Sequence, residues 1–409
     1  NRSAYTGKMA TNHPQDSLQL PQISPSATMR DIFDYCTALG IPSLAQGMIE
    51  LPPPVSLRKR AAETSMDPSV HTYRNRLGEV TYRESIRYLL KERYNTDVPL
   101  EAILATQGVT GGIVSALSML KQKKYKKPAL LEPFYTYHIR DIELTYNAEP
   151  TIIKCNADTS PDWDLIEKAL RPASEGENGG HDDVSGVDVL IVCNPGNPHG
   201  KVWSRDEILR LVNLCKDKVY LILDECYIDL IFDEQSHFSP IQESLKENVI
   251  VCRGFSKCLG AQSWRIGYAI SHPNTIAQLM TFHDPIYISV PFLQHSLADY
   301  LKCDTADFTK HCGAVSKLIQ RNWSVLAPAF EKALGWTPLH PEGSMYGMFK
   351  HNLATDMEAI MAALGNGLGV GVAPGKMFYG GSPALTGYVR IHCGVSEERA
   401  DEIVARLNR

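Results

Sequence analysis

The chain has 409 residues, of which 44% are hydrophobic, so it can bury one large core and a second, smaller one. Its net charge of 41 − 46 = −5 argues against nucleic acid or an anionic membrane as the main partner. No apolar run approaches the roughly 20 residues that span a bilayer, and the ten cysteines form no CxxC pair or zinc cluster, which favours a cytoplasmic protein without a bound metal.

The N-terminal part of the chain differs in composition from the rest. Residues 1–26 are rich in polar residues and proline without hydrophobic periodicity, which predicts a flexible arm. From about residue 100 to 290, short apolar runs alternate with longer amphipathic segments. Such alternation is typical of an α/β fold in which helices cover both faces of a mostly parallel sheet. The predicted strands are Ile103–Thr106, Ala129–Leu131, Val187–Cys193, Val219–Leu223, Val249–Cys252 and Ile266–Ile270.

Helix signals fall between these runs and after them. Ser204 and Glu207 have the spacing of a capping box, and Ser160 before Pro161 predicts another helix start. A long amphipathic stretch predicts one helix through residues 295–335, connecting two domains. We expect a large domain of residues 60–295, and a smaller α+β domain built from residues 27–59 and 296–409.

A glycine-rich turn after the first predicted strand is the first feature that indicates chemistry. Thr106 to Gly112 reads Thr-Gln-Gly-Val-Thr-Gly-Gly and leads into an apolar helix over residues 113–120. Backbone N–H groups and hydroxyls at a helix start bind phosphate, so Val109 and Thr110 are predicted to lie at a phosphate group. Arg265 would add a guanidinium to the same group. Taken alone, a glycine-rich turn is weak evidence.

Polar side chains follow the next predicted strands. Asn194 to Gly200 reads Asn-Pro-Gly-Asn-Pro-His-Gly, a tight turn that leaves its amides at the strand ends. Asp224 ends the strand after it, and Tyr227 follows three residues later. A strand-end carboxylate can pair with a protonated pyridine nitrogen, while Asn197 and Tyr227 could both bind a ring oxygen.

Lys257, in Gly254-Phe-Ser-Lys257, lies just past the strand Val249–Cys252, where α/β sheets place ligands. A lysine amine attacks an aldehyde when it is deprotonated. A lone lysine after a strand is more often a surface residue, but Asp224, Tyr227 and Arg265 reverse that interpretation. Together these residues predict a site that holds pyridoxal 5′-phosphate as a Schiff base of Lys257, and therefore an enzyme.

The order of these motifs resembles the class I and II aminotransferase family, which has the pyridoxal-phosphate fold type I. The shared features are Gly-x-Thr, Pro133-Phe-Tyr135, Asn-Pro-x-Asn-Pro-x-Gly, Asp-x-x-Tyr, Ser-Lys, Arg-x-Gly and a late Arg390. The similarity runs from about residue 43 to the carboxyl terminus. It implies a two-domain subunit and a homodimer with active sites at the interface.

The resemblance also implies roles for further residues. Tyr135 matches the aromatic residue that stacks on the pyridine ring, and Tyr73 matches the tyrosine that reaches the phosphate of the partner subunit. Arg390 matches the arginine that binds the substrate α-carboxylate in a bidentate way, with Gly47 facing the substrate and Asn197 near it. Gly254 stands where the family has a hydroxyl residue, so Ser256 is expected to replace that phosphate contact. A histidine, His199, replaces the usual threonine.

Three functions remain open from the sequence. The first is an aminotransferase that moves an amino group between an amino acid and a 2-oxo acid, with Lys257 as general base and acid. The second is a carbon–sulfur β-lyase or an aminocyclopropane-carboxylate-synthase-like enzyme using the same residues, and the third is a non-catalytic homologue. Residues 282–292 offer no arginine for a second carboxylate, which favours a neutral or aromatic donor, although Arg74 or His283 could serve an acidic one.

Overall fold

The computed structural model describes residues 23–24, 27–172, 184–216, 218–232, 237–286, 290–365, 367–380 and 387–409. The predicted arm of residues 1–26 therefore lies outside the described residues, except for Ile23 and Ser24. None of the helices in the described ranges is both long and apolar enough to cross a membrane.

Seven strands form the larger sheet: β1 (Ile103–Thr106), β2 (Pro128–Leu131), β3 (Thr151–Ile153), β4 (Val189–Cys193), β5 (Tyr220–Asp224), β6 (Val249–Gly254) and β7 (Gly267–Ile270). Their spatial order is β1-β7-β6-β5-β4-β2-β3. Only the pairings of β7 with β1 and β6 are antiparallel, and the others are parallel. The mostly parallel sheet is therefore confirmed. The sequence analysis missed β3 because three residues are too short a run to stand out.

Twelve helices lie in the described ranges: α1 (Met29–Leu39), α2 (Val55–Thr64), α3 (Val80–Tyr94), α4 (Gly108–Gln122), α5 (Thr136–Tyr146), α6 (Trp163–Leu170), α7 (Arg205–Leu214), α8 (Pro273–His283), α9 (Pro291–Cys303), α10 (Thr305–Leu334), α11 (Asp356–Leu364) and α12 (Glu397–Leu407). A second, antiparallel sheet contains β8 (Thr337–Leu339), β9 (Tyr346–Lys350), β10 (Ala373–Pro374) and β11 (Tyr388–His392), in the order β10-β11-β9-β8.

Two of the three helix signals in the sequence need correction. The capping box of Ser204 and Glu207 is present at the start of α7. By contrast, α6 begins at Trp163, because Asp162 rather than Ser160 accepts hydrogen bonds from the first backbone N–H groups. The predicted single helix over 295–335 is interrupted at Asp304, whose backbone is not helical and whose carboxylate binds Arg60 at 2.8 Å.

Separate hydrophobic cores stabilise the two sheets. One cluster packs under the larger sheet and includes Leu57 of α2 and Phe308 of α10, while another fills the space around the smaller sheet, with Trp336 and Phe349. A third cluster packs α4 against the opposite face of the larger sheet. Burial on both faces explains why the strands read as continuous apolar runs. The residue limits of the two domains stay a prediction.

Candidate active site

The carboxyl ends of three neighbouring strands bring the predicted residues together. Strands β4, β5 and β6 run parallel, so the turn after β4, the last residue of β5 and the turn after β6 meet at one edge of the sheet. Asn197, Asp224 and Lys257 occupy these three positions. They are far apart in sequence, and the parallel register alone makes them neighbours.

Lys257 lies where two clefts meet. One cleft, of about 130 Å³, is also lined by Asp224, Tyr227 and Arg265. The other, of about 800 Å³, extends from Lys257 to Arg390 and is large enough for a small-molecule ligand. The Nζ atom of Lys257 is 3.4 Å from the carbonyl oxygen of Gly47. The amine can therefore face a group bound in either cleft.

Asp224 is buried and held by two hydrogen-bond donors. Its Oδ2 atom lies 3.1 Å from Nε2 of His138 on α5, and its Oδ1 atom accepts the backbone N–H of Cys226 at 3.1 Å. These contacts orient the carboxylate into the first cleft. The sequence analysis missed His138, although its position three residues after Tyr135 would place both on one helix face.

A second acid, Asp141, lies one turn further along α5 and lines both clefts. Burial raises the pKa of Asp141 to about 6, the nearby Asp224 carboxylate adds to this rise, and His138 opposes it. This carboxyl therefore changes charge close to neutral pH. No motif indicated it in the sequence.

Asn197 and Tyr227 form the pair that was predicted to bind a ring oxygen. The Nδ2 atom of Asn197 lies 3.4 Å from the Tyr227 hydroxyl, and both side chains are buried. Burial raises the pKa of Tyr227 well above its usual value, so the phenol stays neutral and can donate a proton. Tyr135 lines both clefts at the start of α5.

The start of α4 and Arg265 form the predicted phosphate end of the first cleft. Val109, Thr110, Ser256 and Arg265 all line it. A side chain at Gly108 would place its Cβ 2.9 Å from the Arg265 guanidinium, so only glycine lets the guanidinium approach the helix start. Gly254 lines the same cleft, and a Cβ there would lie 3.3 Å from Val109. The helix start, the hydroxyls and the guanidinium form a suitable anion site.

Arg390 on β11 is 1% exposed and forms no ion pair with a carboxylate in the described part of the chain. Its Nη1 atom donates to Asn197 at 2.9 Å, and its Nη2 atom donates to the carbonyl oxygen of Ala45 at 2.6 Å. The Tyr346 ring lies 4.0 Å from the guanidinium. The Nε atom lacks a hydrogen-bond partner among the described residues. A buried, unpaired guanidinium that lines a cleft is a binding site for an anion.

The wall of the larger cleft is mostly apolar, with two arginines besides Arg390. The apolar side chains come from α1, the following loop, α5 and the segment before β11: Met29, Met48, Ile139, Leu144 and Met377. Arg30 and Arg140 also line the cleft and pair with Asp34 at 3.0 Å and Glu143 at 3.9 Å. The sequence analysis overlooked both arginines because it considered residues 282–292.

Several residues singled out in the sequence lie elsewhere. Arg74 binds the carbonyl oxygen of Ser69, and His283 is buried against Ser115 of α4, so neither lines the larger cleft. Tyr73 is 87% exposed. Burial lowers the pKa of His199 to about 3, so its imidazole is neutral at physiological pH.

Gly47 contacts the wall of the larger cleft so closely that no side chain fits without movement. An added Cβ would lie 2.0 Å from the Tyr346 hydroxyl. Because Tyr346 packs on Arg390, the absence of a side chain at Gly47 helps to keep the arginine in place.

The first cleft fits pyridoxal 5′-phosphate group by group. Its aldehyde needs an amine, and its pyridine nitrogen needs a carboxylate. Its 3-oxygen needs a pair of hydrogen-bond donors, and its phosphate needs an anion site. Lys257, Asp224, Tyr227 and the start of α4 with Arg265 all line one cleft. Asn197 is not part of that lining, and its amide adjoins the cleft through its contact of 3.4 Å with the Tyr227 hydroxyl. Arg390 remains as an anion site for a second molecule in the adjoining cleft.

Comparison with known proteins gives consistent matches. The family model described as aminotransferase class I and II matches residues 41–407. The putative aminotransferase YugH of Bacillus subtilis is 23% identical over 98% of both chains. The probable kynurenine–oxoglutarate transaminase BNA3 of Saccharomyces cerevisiae is 25% identical over 74% of this chain and 68% of its own. The solved structure of Escherichia coli YbdL, reported with a methionine aminotransferase function, covers 97% of this chain and 99% of its own, with a TM-score of 0.80 at 20% identity.

Proposed function

Because this chain belongs to the class I and II aminotransferase family, whose members use pyridoxal 5′-phosphate, we propose that it moves an amino group between an amino acid and a 2-oxo acid with the cofactor bound at Lys257. The observation that carries this proposal is Arg390, a buried guanidinium that has no carboxylate partner among the described residues and lines the same cleft as the Lys257 amine. An α-amino acid presents a carboxylate that the guanidinium can bind and an amine that can react with a cofactor held at Lys257.

Different residues in and beside the first cleft hold different parts of the cofactor. Asp224 keeps the ring nitrogen protonated, and His138 orients that carboxylate at 3.1 Å. Asn197 and Tyr227 donate to the ring oxygen, while Val109, Thr110, Ser256 and Arg265 hold the phosphate. Tyr135 lies against the ring. When bound, the cofactor supplies an electron-withdrawing ring that stabilises negative charge on the substrate Cα.

Lys257 has two tasks in this proposal. Its Nζ would hold the cofactor through the aldehyde carbon, and the released amine would take the proton from the substrate Cα and deliver it to that same carbon. Arg390 meanwhile holds the α-carboxylate, which leaves the Cα–H bond facing Lys257. The carbonyl oxygen of Gly47, 3.4 Å from Nζ, restrains the amine on the substrate side.

We further propose a neutral donor with a large apolar or aromatic side chain. The wall of the larger cleft supports this, because the thioethers of Met29, Met48 and Met377 adapt to such groups. Arg30 and Arg140 each already pair with an acid, so an acidic donor would compete with Asp34 or Glu143 for them. The names of the yeast and E. coli relatives refer to kynurenine and methionine, whose side chains are large and carry no carboxylate.

A half-reaction screen tests both the reaction type and the class of amino donor. Methionine, phenylalanine, kynurenine and aspartate are added separately to the cofactor-loaded enzyme without an acceptor, and the cofactor absorbance and the keto acid are measured. Conversion to pyridoxamine phosphate supports transamination, and faster conversion with the first three supports the donor class. Release of pyruvate and ammonia from cysteine conjugates, without pyridoxamine phosphate, would instead indicate a carbon–sulfur lyase.

We also propose a homodimer in which Tyr73 reaches the phosphate site of the partner subunit. The support is that the Tyr73 side chain is 87% exposed, which leaves its hydroxyl accessible to a neighbouring subunit. Other large apolar side chains are also exposed, including Tyr137 on α5 and Leu144 at the cleft.

A further inference from the structure

A second group of reactive side chains lies directly behind the turn that carries Lys257. Cys258 follows the lysine, Cys312 lies on α10, and Asp229 lies in the segment after β5. Their two sulfur atoms and one carboxylate oxygen all lie within 4.8 Å of one another. The two cysteines are 1% and 5% exposed. None of the three side chains has a part in the proposed transamination.

The spacing of these atoms is close to that of a metal site. Zn²⁺ binds thiolate at about 2.3 Å in a tetrahedral arrangement, which places two sulfur ligands about 3.8 Å apart. Atoms that lie within 4.8 Å of each other therefore need to approach by about 1 Å or less to hold such an ion. Two thiolates and one carboxylate are a ligand set that suits Zn²⁺ and other thiophilic divalent cations.

The charges around the group permit a cation. Arg93 bonds Asp229, and Arg253 bonds the buried Glu225 at 2.8 Å, so the charged neighbours cancel in pairs. A divalent cation with two thiolates adds no net charge to this balance. The Asp229 side chain is 10% exposed and that of Arg93 is 32% exposed, so the ion has a route from solvent past this pair.

We propose that Asp229, Cys258 and Cys312 bind one thiophilic divalent cation of the Zn²⁺ class, with water as the fourth ligand. Two metal–sulfur bonds form, each thiol releases its proton to solvent, and no group is oxidised or reduced. Asp229 uses the carboxylate oxygen that Arg93 leaves free. Since Cys258 is bonded to Lys257, the contraction of the site pulls on the turn that positions the amine, and the cation therefore inhibits the enzyme. This inhibition depends on the proposed function, whereas the binding does not.

Cadmium absorption tests the binding without any assay of activity. The cofactor-loaded enzyme is titrated with Cd²⁺, and the ultraviolet charge-transfer band of cadmium thiolate is recorded. The variants are Cys312→Ala and Cys258→Ala, and the control is Cys303→Ala, which removes an exposed thiol at the end of α9. We expect one equivalent in the parent and the control, and loss of the band in both test variants. If one test variant does not fold, the other gives the result.

Three outcomes would overturn the site: no band in the parent, an equal band in all variants, or a band lost in the control. A thiol count of the denatured, metal-free protein detects oxidation. Because all ten cysteines are free, ten thiols are expected. A count lower by two, restored by reductant, would show that the pair forms a disulfide and would also contradict the proposal.

Inhibition is measured separately with Zn²⁺ on the same proteins. We expect Zn²⁺ to lower turnover and shift the cofactor absorbance in the parent and in Cys303→Ala, a chelator to reverse both effects, and Cys312→Ala to resist them. Cadmium binding without any effect of Zn²⁺ on rate or spectrum would refute the link to Lys257. Absence of turnover in the untreated parent would instead count against the proposed function.

Discussion

The guanidinium of Arg390 donates to the side-chain oxygen of Asn197 at 2.9 Å, which links the smaller sheet to the turn after β4. Asn197 in turn contacts the hydroxyl of Tyr227 at 3.4 Å. One amide therefore joins the proposed site for the substrate carboxylate to the proposed site for the ring oxygen. We therefore expect substrate binding and the position of the cofactor ring to depend on each other through this amide.

The variant Arg390→Lys tests the carboxylate site. Lysine keeps the positive charge but cannot bond Asn197, Ala45 and a carboxylate at the same time. Losing one or two charge-assisted hydrogen bonds costs roughly 1.5 to 3 kcal/mol each, so kcat/KM for amino acids should fall by about 10 to 10⁴-fold. The control is Arg399→Lys, which alters a surface pair with Glu50. Equal kinetics for the two variants would contradict the role of Arg390.

The variant Gly47→Ala tests the close contact at the wall of the larger cleft. The added Cβ would lie 2.0 Å from the Tyr346 hydroxyl, so the ring that packs on Arg390 must move. We expect KM for the amino donor to rise at least about tenfold, roughly 1.4 kcal/mol. As a control, Gly313→Ala on α10 meets no atom within 4 Å and should stabilise the protein by about 0.5 to 1 kcal/mol. An unchanged KM for Gly47→Ala would show that Tyr346 does not hold Arg390.

The pKa of Asp141 predicts a pH-dependent stability. Burial raises this pKa from 3.8 to about 6, so the folded chain binds the proton more tightly than the unfolded chain does. The free energy of unfolding therefore decreases as pH rises through this window. The variant Asp141→Asn should be more stable than the parent by up to about 3 kcal/mol at about pH 8 and nearly equal at about pH 4.

Urea unfolding of the parent, Asp141→Asn and Asp299→Asn at these two pH values measures the effect. Asp299 lies exposed on α9, so the free energy of unfolding of Asp299→Asn should match that of the parent at both pH values. A gain for Asp141→Asn that is the same at low and high pH would refute a titrating buried acid at this position.

Mixed dimers test the proposed reach of Tyr73. Tyr73→Ala should weaken cofactor binding by about 10-fold, the effect of roughly one hydrogen bond to a charged group. Mixing Tyr73→Ala with Lys257→Ala should place both changes in one of the two sites of a hybrid and leave the other intact, which restores part of the activity. The control Tyr88→Ala removes another exposed tyrosine, on α3. Wild-type cofactor affinity for Tyr73→Ala, or a monomeric protein, would contradict the proposal.

The sequence correctly predicted the strands that position the site, because burial on both faces leaves continuous apolar runs. It also predicted Asn197, Asp224 and Lys257 as neighbours, since parallel strands end at one edge. It failed where contacts between distant segments decide the structure. Asp304 interrupts the predicted long helix while it binds Arg60 of α2.

Other parts of the site carried no local signal. His138 and Asp141 share one face of α5, yet only the fold shows that this face meets Asp224. Arg140 and Arg30 lie 117 and 227 positions before residue 257 in the chain, so no motif near the lysine could reveal them. The pairing of Arg390 with Asn197 spans 193 positions and depends on how the two sheets pack.

Borohydride reduction tests the central claim, the bond between Lys257 and the cofactor, most directly. The purified protein is loaded with pyridoxal 5′-phosphate, reduced, digested and analysed by mass spectrometry, with Lys257→Ala treated in parallel. The account predicts one phosphopyridoxyl group on the peptide that contains Lys257 and none in the variant. Labelling on other lysines only, or equal labelling of parent and variant, would contradict it.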